Sequence, residues 1–393
     1  MFFSQFCRQV IKMRQFIIKF FHATVFALCS FLNKRINHKQ DKILFYTDLG
    51  FRDNVKALYD YLIENEFNKK YKIVCATNDY AKFVQTQPQN VTFKKKWNGF
   101  IDYFSAGYVF YCFGRIPILP GKNQKVVQLW HGTPFKAKSK DFEAKNDSEK
   151  LFFTHVVASS KHLIPVLSYT FSFPEDKIIV CGQPRNDNLF KSSPYQFGNY
   201  AKLIFWAPTF RDSKEMGKET QKKAPLIPIF GLEHLQELNS FLGERKLKMI
   251  IKLHPVQDIT EYNLVEMENL IFLSHAEFTK REMDLYVLAG QCDALITDYS
   301  SIFSDFLLLN RPLAFTEDDI DDYQNTRGFS VQNINDYRAG FRIKTKQDFY
   351  QFLDDLSHDK DSYEQEREQA NKLLNDYRDN KSCARVLNAV GLQ

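Results

Sequence analysis

One histidine carries the first chemical signal in this chain. Residues 126–136 read VVQLWHGTPFK, an apolar run that stops at Trp130, His131, Gly132, Thr133 and Pro134. Apolar residues followed at once by Gly and Pro describe a buried strand ending in a tight turn. An imidazole on such a turn titrates near neutral pH, which a general base requires. Taken alone, His131 reads equally as an ordinary turn residue. Three further stretches give it company: APTFRD (207–212), KLHP (252–255) and ITDYSSIFSDF (296–306). Each is strand-like and ends in polar groups.

Lys252 and His254 end one of these stretches, and Thr209, Arg211 and Asp212 end another. Fixed positive charge at neighbouring strand ends neutralises a pyrophosphate in a water-poor cleft; Arg211 reads also as a salt-bridge partner. In ITDYSSIFSDFLLLNRP, Asp298 ends a strand, while Ser300 and Ser301 are placed to cap a helix over 302–309. Thr297, Ser300, Ser301 and the first amides of that helix would then face the cleft and hold phosphate without a glycine-rich loop. The competing reading is an ordinary cap facing water. No GxGxxG or GxxxxGK[ST] occurs, so neither a dinucleotide oxidoreductase nor a P-loop NTPase is supported. No HExxH or clustered His/Cys set suggests structural zinc.

These strand ends need a scaffold, and the chain supplies one by alternation. Strands are predicted over 42–48, 71–78, 91–96, 107–114, 126–132 and 154–160, with an amphipathic helix over 55–67 and a last strand beginning at 178. A Ser-, Pro- and Gly-rich stretch at 191–201 has the composition of a linker. The alternation restarts at 203–210 and continues through 248–255, 269–274, 293–298 and 312–316. Such spacing implies parallel βαβ units with ligands at the carboxyl ends of the strands. Two doubly wound halves place a cleft between them. Residues 361–390 read as a charged amphipathic helix or helix pair that packs back across both halves.

A chain of 393 residues exceeds one ordinary core, and 44% hydrophobic with 25% charged residues describes a globular protein. The net charge of +6 concentrates in the first forty residues, which points to an anionic surface or phosphate; no zinc-finger, RNP or helix-turn-helix spacing supports nucleic acid. Seven scattered cysteines without CxxC spacing read as reduced thiols in a cytoplasmic protein. Residues 1–39 mix Arg8, Lys12, Arg14, Lys19, Lys34 and Arg35 with Phe, Ile and Leu, and their longest apolar stretch is broken by Lys19 and His22. That composition suits a helix lying on an anionic membrane better than one spanning it. A helix packed on the protein's own core and an uncleaved signal anchor are the alternatives.

WHGTPFK, GQPRND, APTFRD, KLHP and ITDYSSIFSDFLLLNRPLAF, followed by DDIDDY and RGF, stand in the order seen in CDP-glycerol glycerophosphotransferases, which this chain resembles over residues 42–329. Those enzymes build the polyol-phosphate chains of teichoic acids and related capsules. The resemblance implies a GT-B-like α/β fold of two Rossmann-like domains facing a cleft: a membrane-associating segment (1–39), an acceptor-side domain (40–195), a CDP-donor domain (196–360) and a C-terminal helical segment (361–393). It implies His131 as general base, with His254 as a second catalytic group. Arg211, Lys252, His254, Thr297, Asp298, Ser300 and Ser301 would hold the CDP part of the donor, with Glu317 or Asp318 near its polyol end. Trp130, Gly132, Thr133, Asn54, Arg185 and Asp187 would line the acceptor side. Expected substrates are CDP-glycerol or CDP-ribitol and a lipid-linked saccharide or growing polymer, at the cytoplasmic face of the membrane. No cofactor is implied. Metal independence is the expectation, although the acidic run Glu317, Asp318, Asp319, Asp321 and Asp322 leaves a metal open. A nucleotide-sugar GT-B enzyme and a catalytically silent assembly partner are the other readings. Two departures stand out: GFRDN (50–54) matches the family's first turn only loosely, and Asn310 stands where an acidic residue is common.

Overall fold

The computed structural model describes residues 24–135, 152–208, 227–252, 267–318, 320, 323, 328–331 and 333–393. Seven strands form the first sheet: β1 (Lys39–Thr47), β2 (Lys72–Thr77), β3 (Val91–Lys95), β4 (Ala106–Tyr111), β5 (Lys125–Gln128), β6 (His155–Ala158) and β7 (Ile178–Val180). Their order is β3-β2-β1-β4-β5-β6-β7, and every pairing is parallel. Six form the second: β8 (Lys202–Ala207), β9 (Leu247–Lys252), β10 (Leu270–Leu273), β11 (Ala294–Thr297), β12 (Leu313–Thr316) and β13 (Phe341–Ile343). That sheet runs β10-β9-β8-β11-β12-β13, again all parallel. In each sheet the order reverses once, between β1 and β4 and between β8 and β11. Crevices at the carboxyl ends of such reversals are where doubly wound sheets bind ligands.

The strands are buried on both faces because helices cover both. All six residues of β4 and all four of β11 are buried, as a parallel sheet requires. One apolar core runs from Leu44 and Tyr111 through Phe303 and Phe306 to Leu374, so a single hydrophobic cluster joins the two halves. The outer face of the first sheet is closed by Val386 and Leu387 of the helix Ser382–Ala389 and by Val390 and Leu392 just after it. A third cluster, around Trp206 and Phe349, covers the outer face of the second sheet.

Local chemistry moves three predicted boundaries. β5 stops at Gln128 rather than running on to residue 132, because Trp130 adopts a φ of 58° and turns the chain. The helix expected over 302–309 is an α-helix only at Ile302–Phe306 and then tightens into a 3₁₀ turn at Leu307–Leu309. Its Ser304 hydroxyl donates back to the Ser301 carbonyl at 2.7 Å, a bond that competes with helix geometry. Asn310, at φ 47°, ends the turn in a left-handed conformation that asparagine tolerates better than most residues. The presumed linker is stitched to the second half, since Lys248 Nζ donates to the Phe197 carbonyl at 2.6 Å and Tyr195 Oη accepts from the Asp284 amide at 2.7 Å.

Helices Glu364–Leu374 and Ser382–Ala389 carry the chain from the second half back to the first. Asn375 Nδ2 donates to the Ser304 carbonyl at 2.9 Å, and the Asp376 amide donates to the Ser159 carbonyl at 3.0 Å. The last helix is capped from far away in sequence: the Asp187 carboxylate accepts from the amides of Ser382 at 2.9 Å and Cys383 at 2.8 Å. Asp187 therefore does not line the acceptor side, because both of its oxygens serve this helix start. Replacing a capping carboxylate costs about 1–2 kcal/mol. Asp187→Ala should lose that much stability in urea denaturation and leave the KM for a soluble acceptor analogue unchanged.

Candidate functional site

The turn after β5 is built by its neighbours. Asn54 Nδ2 donates to the carbonyls of Leu129 at 3.3 Å and Trp130 at 2.8 Å, and Gln128 Oε1 accepts from the Trp130 amide at 3.1 Å. Asn54 is fully buried, so it shapes the turn rather than meeting an acceptor. Beyond it, the half-buried His131 ring stacks on Phe113 (centroids 4.9 Å apart, 20° between planes) and lies against Trp130 at 4.0 Å. Trp130 in turn meets Phe171 edge-on. The imidazole is thus oriented by aromatic contacts on rigid strand ends.

From this turn the chain crosses directly to the second half. Gly132 has a φ of 130°, and a Cβ there would stand 2.6 Å from Ser301 Oγ and 2.8 Å from Arg185 Nη2. Thr133 Oγ1 and Ser304 Oγ are 2.8 Å apart, Phe135 stacks on Phe303 at 5.3 Å, and the Ser330 amide donates to the Phe135 carbonyl at 2.8 Å. The predicted motifs at 130–135 and 297–306 therefore meet face to face.

Arg185 fastens this junction. Its Nη1 donates to both Asp53 oxygens at 2.9 and 2.8 Å and to the His131 carbonyl at 2.9 Å; its Nη2 donates to Asp305 Oδ2 at 2.8 Å. Asp305 also accepts from Asn186 Nδ2 at 3.1 Å and Tyr286 Oη at 2.7 Å. Burial alone would lower the Arg185 pKa, but Asp53, Tyr286 and Asp305 outweigh it and hold the guanidinium charged well above its usual range. Arg185 is 5% exposed and both of its terminal nitrogens are committed to partners within the protein, so it is a buried brace and not an acceptor-lining group. Asp53, Asn186, Tyr286 and Asp305 complete the brace and were not singled out by sequence reasoning.

On the second half, Thr297 and Asp298 are fully buried. The Thr297 hydroxyl donates to the Ala207 carbonyl at 2.8 Å, latching β11 to β8, and Asp298 Oδ1 accepts from the Tyr299 amide at 2.6 Å. Both support the loop from behind instead of facing the cleft. Ser300 and Ser301 are half-buried at the strand-order reversal, with Ser300 Oγ 3.5 Å from the Ile302 amide and no side-chain cap from Ser301. Glu317 is likewise turned inward: it pairs with Arg338 at 2.8 Å and Arg342 at 3.3 Å, while burial pushes the Arg338 pKa down to about 10. Its carboxylate is already neutralised, whereas its neighbour Asp318 is exposed. Arg211, His254, Asp319, Asp321 and Asp322 lie outside the described residues.

Lys252 ends β9, half-buried beneath the reversal, with its ammonium 5.1 Å from the Phe278 ring centre. Burial, and then the charge of Arg52, lower its pKa below the ordinary lysine value. Arg52 comes from the loop after β1, and its guanidinium lies 5.7 Å from the centre of the same Phe113 ring that stacks on His131. Sequence reading gave no role to Arg52 or Phe113. The available signal was a cation at the carboxyl end of the first strand.

The sequence profile of the family described as CDP-glycerol:poly(glycerophosphate) glycerophosphotransferase matches residues 28–392. The chain belongs to that family. Among curated glycerophosphotransferase relatives, it is 26% identical over 353 residues to the teichoic acid poly(glycerol phosphate) polymerase of Bacillus spizizenii, covering 81% of this chain and 84% of that protein. It is 25% identical to the teichoic acid ribitol-phosphate polymerase TarL of Staphylococcus aureus, covering 92% of this chain. It spans 63% of TarL's length and 48% of the length of the Bacillus subtilis poly(glycerol phosphate) polymerase. The solved wall teichoic acid polymerase TagF superposes with a TM-score of 0.70 at 19% identity, covering 98% of this chain and 96% of that one, which shows the shared GT-B-like fold. A UDP-N-acetylglucosamine 2-epimerase superposes at 0.52 with 11% identity, over 91% of this chain and 98% of that one. The architecture therefore hosts different chemistries, and the site must carry the functional argument.

The close approach at Gly132 makes the junction sensitive to a single methyl group. Gly132→Ala should destabilise the protein by about 1–3 kcal/mol through strain at that φ and displacement of Ser301. The check is urea denaturation of variant and parent.

Proposed function

We propose that this glycerophosphotransferase-family chain transfers a polyol phosphate, glycerol phosphate in the first instance, from its CDP derivative to a lipid-linked saccharide or growing polymer and releases CMP. The observation that carries the reading is the meeting of the His131 turn with the Ser300–Ser301 loop at the carboxyl ends of two doubly wound sheets. In this reading the first half is the acceptor side and the second holds the cytidine diphosphate.

The chemistry divides between the halves. An acceptor hydroxyl loses its proton to the His131 imidazole as its oxygen bonds to the β-phosphorus. The bond from that phosphorus to the oxygen bridging to CMP breaks, and the electron pair leaves with CMP. Lys252, together with Arg211 and His254 in the neighbouring stretches, offsets the developing charge, while Ser300 and Ser301 orient the diphosphate. Cation stabilisation of this kind can replace the role that Mg²⁺ takes in other phosphoryl transfers. Gly132 and Thr133 hold the turn against the donor loop, and this reading assigns the polyol end to the exposed carboxylate of Asp318.

The purified chain offered CDP-glycerol, CDP-ribitol and common nucleotide sugars in parallel should release CMP from a CDP-polyol. Turnover of a nucleotide sugar alone defeats the reading. His131→Ala should reduce turnover about 10²–10⁴-fold, the usual worth of a general base, with donor affinity retained. Lys252→Ala should weaken donor binding more than acceptor binding. Since Lys252 titrates below a free lysine and its charged form binds phosphate, donor affinity should fall as pH rises through that lowered value. Dissociation constants measured across alkaline pH, compared with those of Lys252→Ala, check this.

Attachment to an anionic membrane at the cytoplasmic face completes the proposal. No described helix is long and apolar enough to cross a bilayer. Residues 24–33 are helical and expose Leu28, Phe31 and Leu32. Phe26 of this helix touches Phe100 at 6.1 Å, and Phe100 stacks on Trp97 at 5.6 Å, which brings Trp97 and Ile101, 62% and 78% exposed, beside it. Arg35 lies over Phe31 and Lys96 over Trp97, so cations rim the apolar side chains. That combination suits the headgroup boundary of an anionic bilayer. The double variant Phe31→Ser, Ile101→Ser should sediment with phosphatidylglycerol vesicles at least about tenfold less, given roughly 1.5–3 kcal/mol per buried apolar side chain. Unchanged sedimentation assigns the contact to another surface.

A further inference from the structure

Arg52 and Lys252 stand at the carboxyl ends of strands in opposite sheets. Arg52 follows β1 at the reversal between β1 and β4, and Lys252 ends β9, the neighbour of β8 at the second reversal. Among the described residues neither has a carboxylate partner, although the adjacent Asp53 is paired to Arg185 at 2.8 Å. Each cation instead rests on a ring: Arg52 on Phe113 at 5.7 Å, and Lys252 on Phe278 at 5.1 Å. Both strand ends lie on the side where the His131 turn meets the Ser301 loop, and burial, then the charge of Arg52, lower the Lys252 pKa. Two cations with no carboxylate partner among the described residues repel one another, and an anion bound beside them offsets that repulsion.

The position of Arg52 selects which part of the anion it meets. Its guanidinium and the His131 imidazole both contact the Phe113 ring, at 5.7 and 4.9 Å from its centre. The phosphorus that reacts must lie within reach of the base, whereas the cytidine-bearing phosphate belongs to the second half. We infer that Arg52 binds the transferring β-phosphate of the CDP-polyol from the first half, opposite Lys252, so that the diphosphate site is complete only with a residue from each sheet. The inference rests on the CDP-polyol reading and deepens it. Arg52 lies in the GFRDN segment that departs from the family's first turn, so the assignment belongs to this chain's own residues.

The test is calorimetric binding of CDP-glycerol, CDP-ribitol and CMP to the full chain and to Arg52→Gln and Arg52→Lys. One charge-assisted hydrogen bond lost to solvent is worth about tenfold in affinity. Arg52→Gln should weaken the CDP-polyol by about that factor while CMP, which lacks the β-phosphate, binds as to the parent; Arg52→Lys should recover part of the loss. The side chain is exposed, so thermal denaturation of both variants should match the parent. Equal CDP-polyol affinity in Arg52→Gln and parent overturns the inference alone, and so does an equal loss of CMP. A parent that binds neither CDP-polyol better than CMP overturns the CDP-polyol reading and the inference with it.

Discussion

The buried guanidinium of Arg185 is the constraint on which the rest of the site depends. It links the loop after β1, the carbonyl of His131 and Asp305 from the second half in one hydrogen-bonded cluster. A charge removed from water is costly unless it is paired, and removal of one partner from such a cluster typically costs about 3–5 kcal/mol. The cluster therefore penalises any arrangement in which the two halves meet differently. The imidazole inherits its position from that penalty as well as from the rings beside it.

The same logic separates supporting groups from exposed ones. Thr297, Asp298, Glu317, Asn54 and Asp187 are polar, sit in the motifs, and are buried with their hydrogen bonds used internally. They hold turns, strand ends and a helix start. Among the described residues, those left accessible near the junction include His131, Ser300, Ser301, Lys252 and Arg52. The proposed phosphate site would use few side chains in contact and a larger set behind them, since a displaced donor loses more than a weakened one.

Much of this was legible in the sequence. Alternating apolar runs located the parallel strands, because a strand covered on both faces must read as continuous Val, Ile, Leu and Phe. The turn at Trp130 was visible through Gly132 and Pro134, and the order of five motifs indicated the family. Orientation was not legible. Whether Arg185 or Asp187 faces a ligand depends on partners 120 and 195 residues away, Asp305 and Ser382, which no local pattern announces. Arg52 was overlooked for the opposite reason: an exposed cation on a loop looks ordinary until Lys252 and Phe113 are placed around it.

The return of the last helix to the first sheet has a consequence for biosynthesis. Val386, Leu387, Val390 and Leu392 close a core whose other walls, such as Ile43, Phe45 and Val127, leave the ribosome long before them. The nascent first half must wait with an apolar face uncovered while the whole second half is made, a situation that favours chaperone engagement during translation. Assembly of the first half is thus finished by a segment made after the second half.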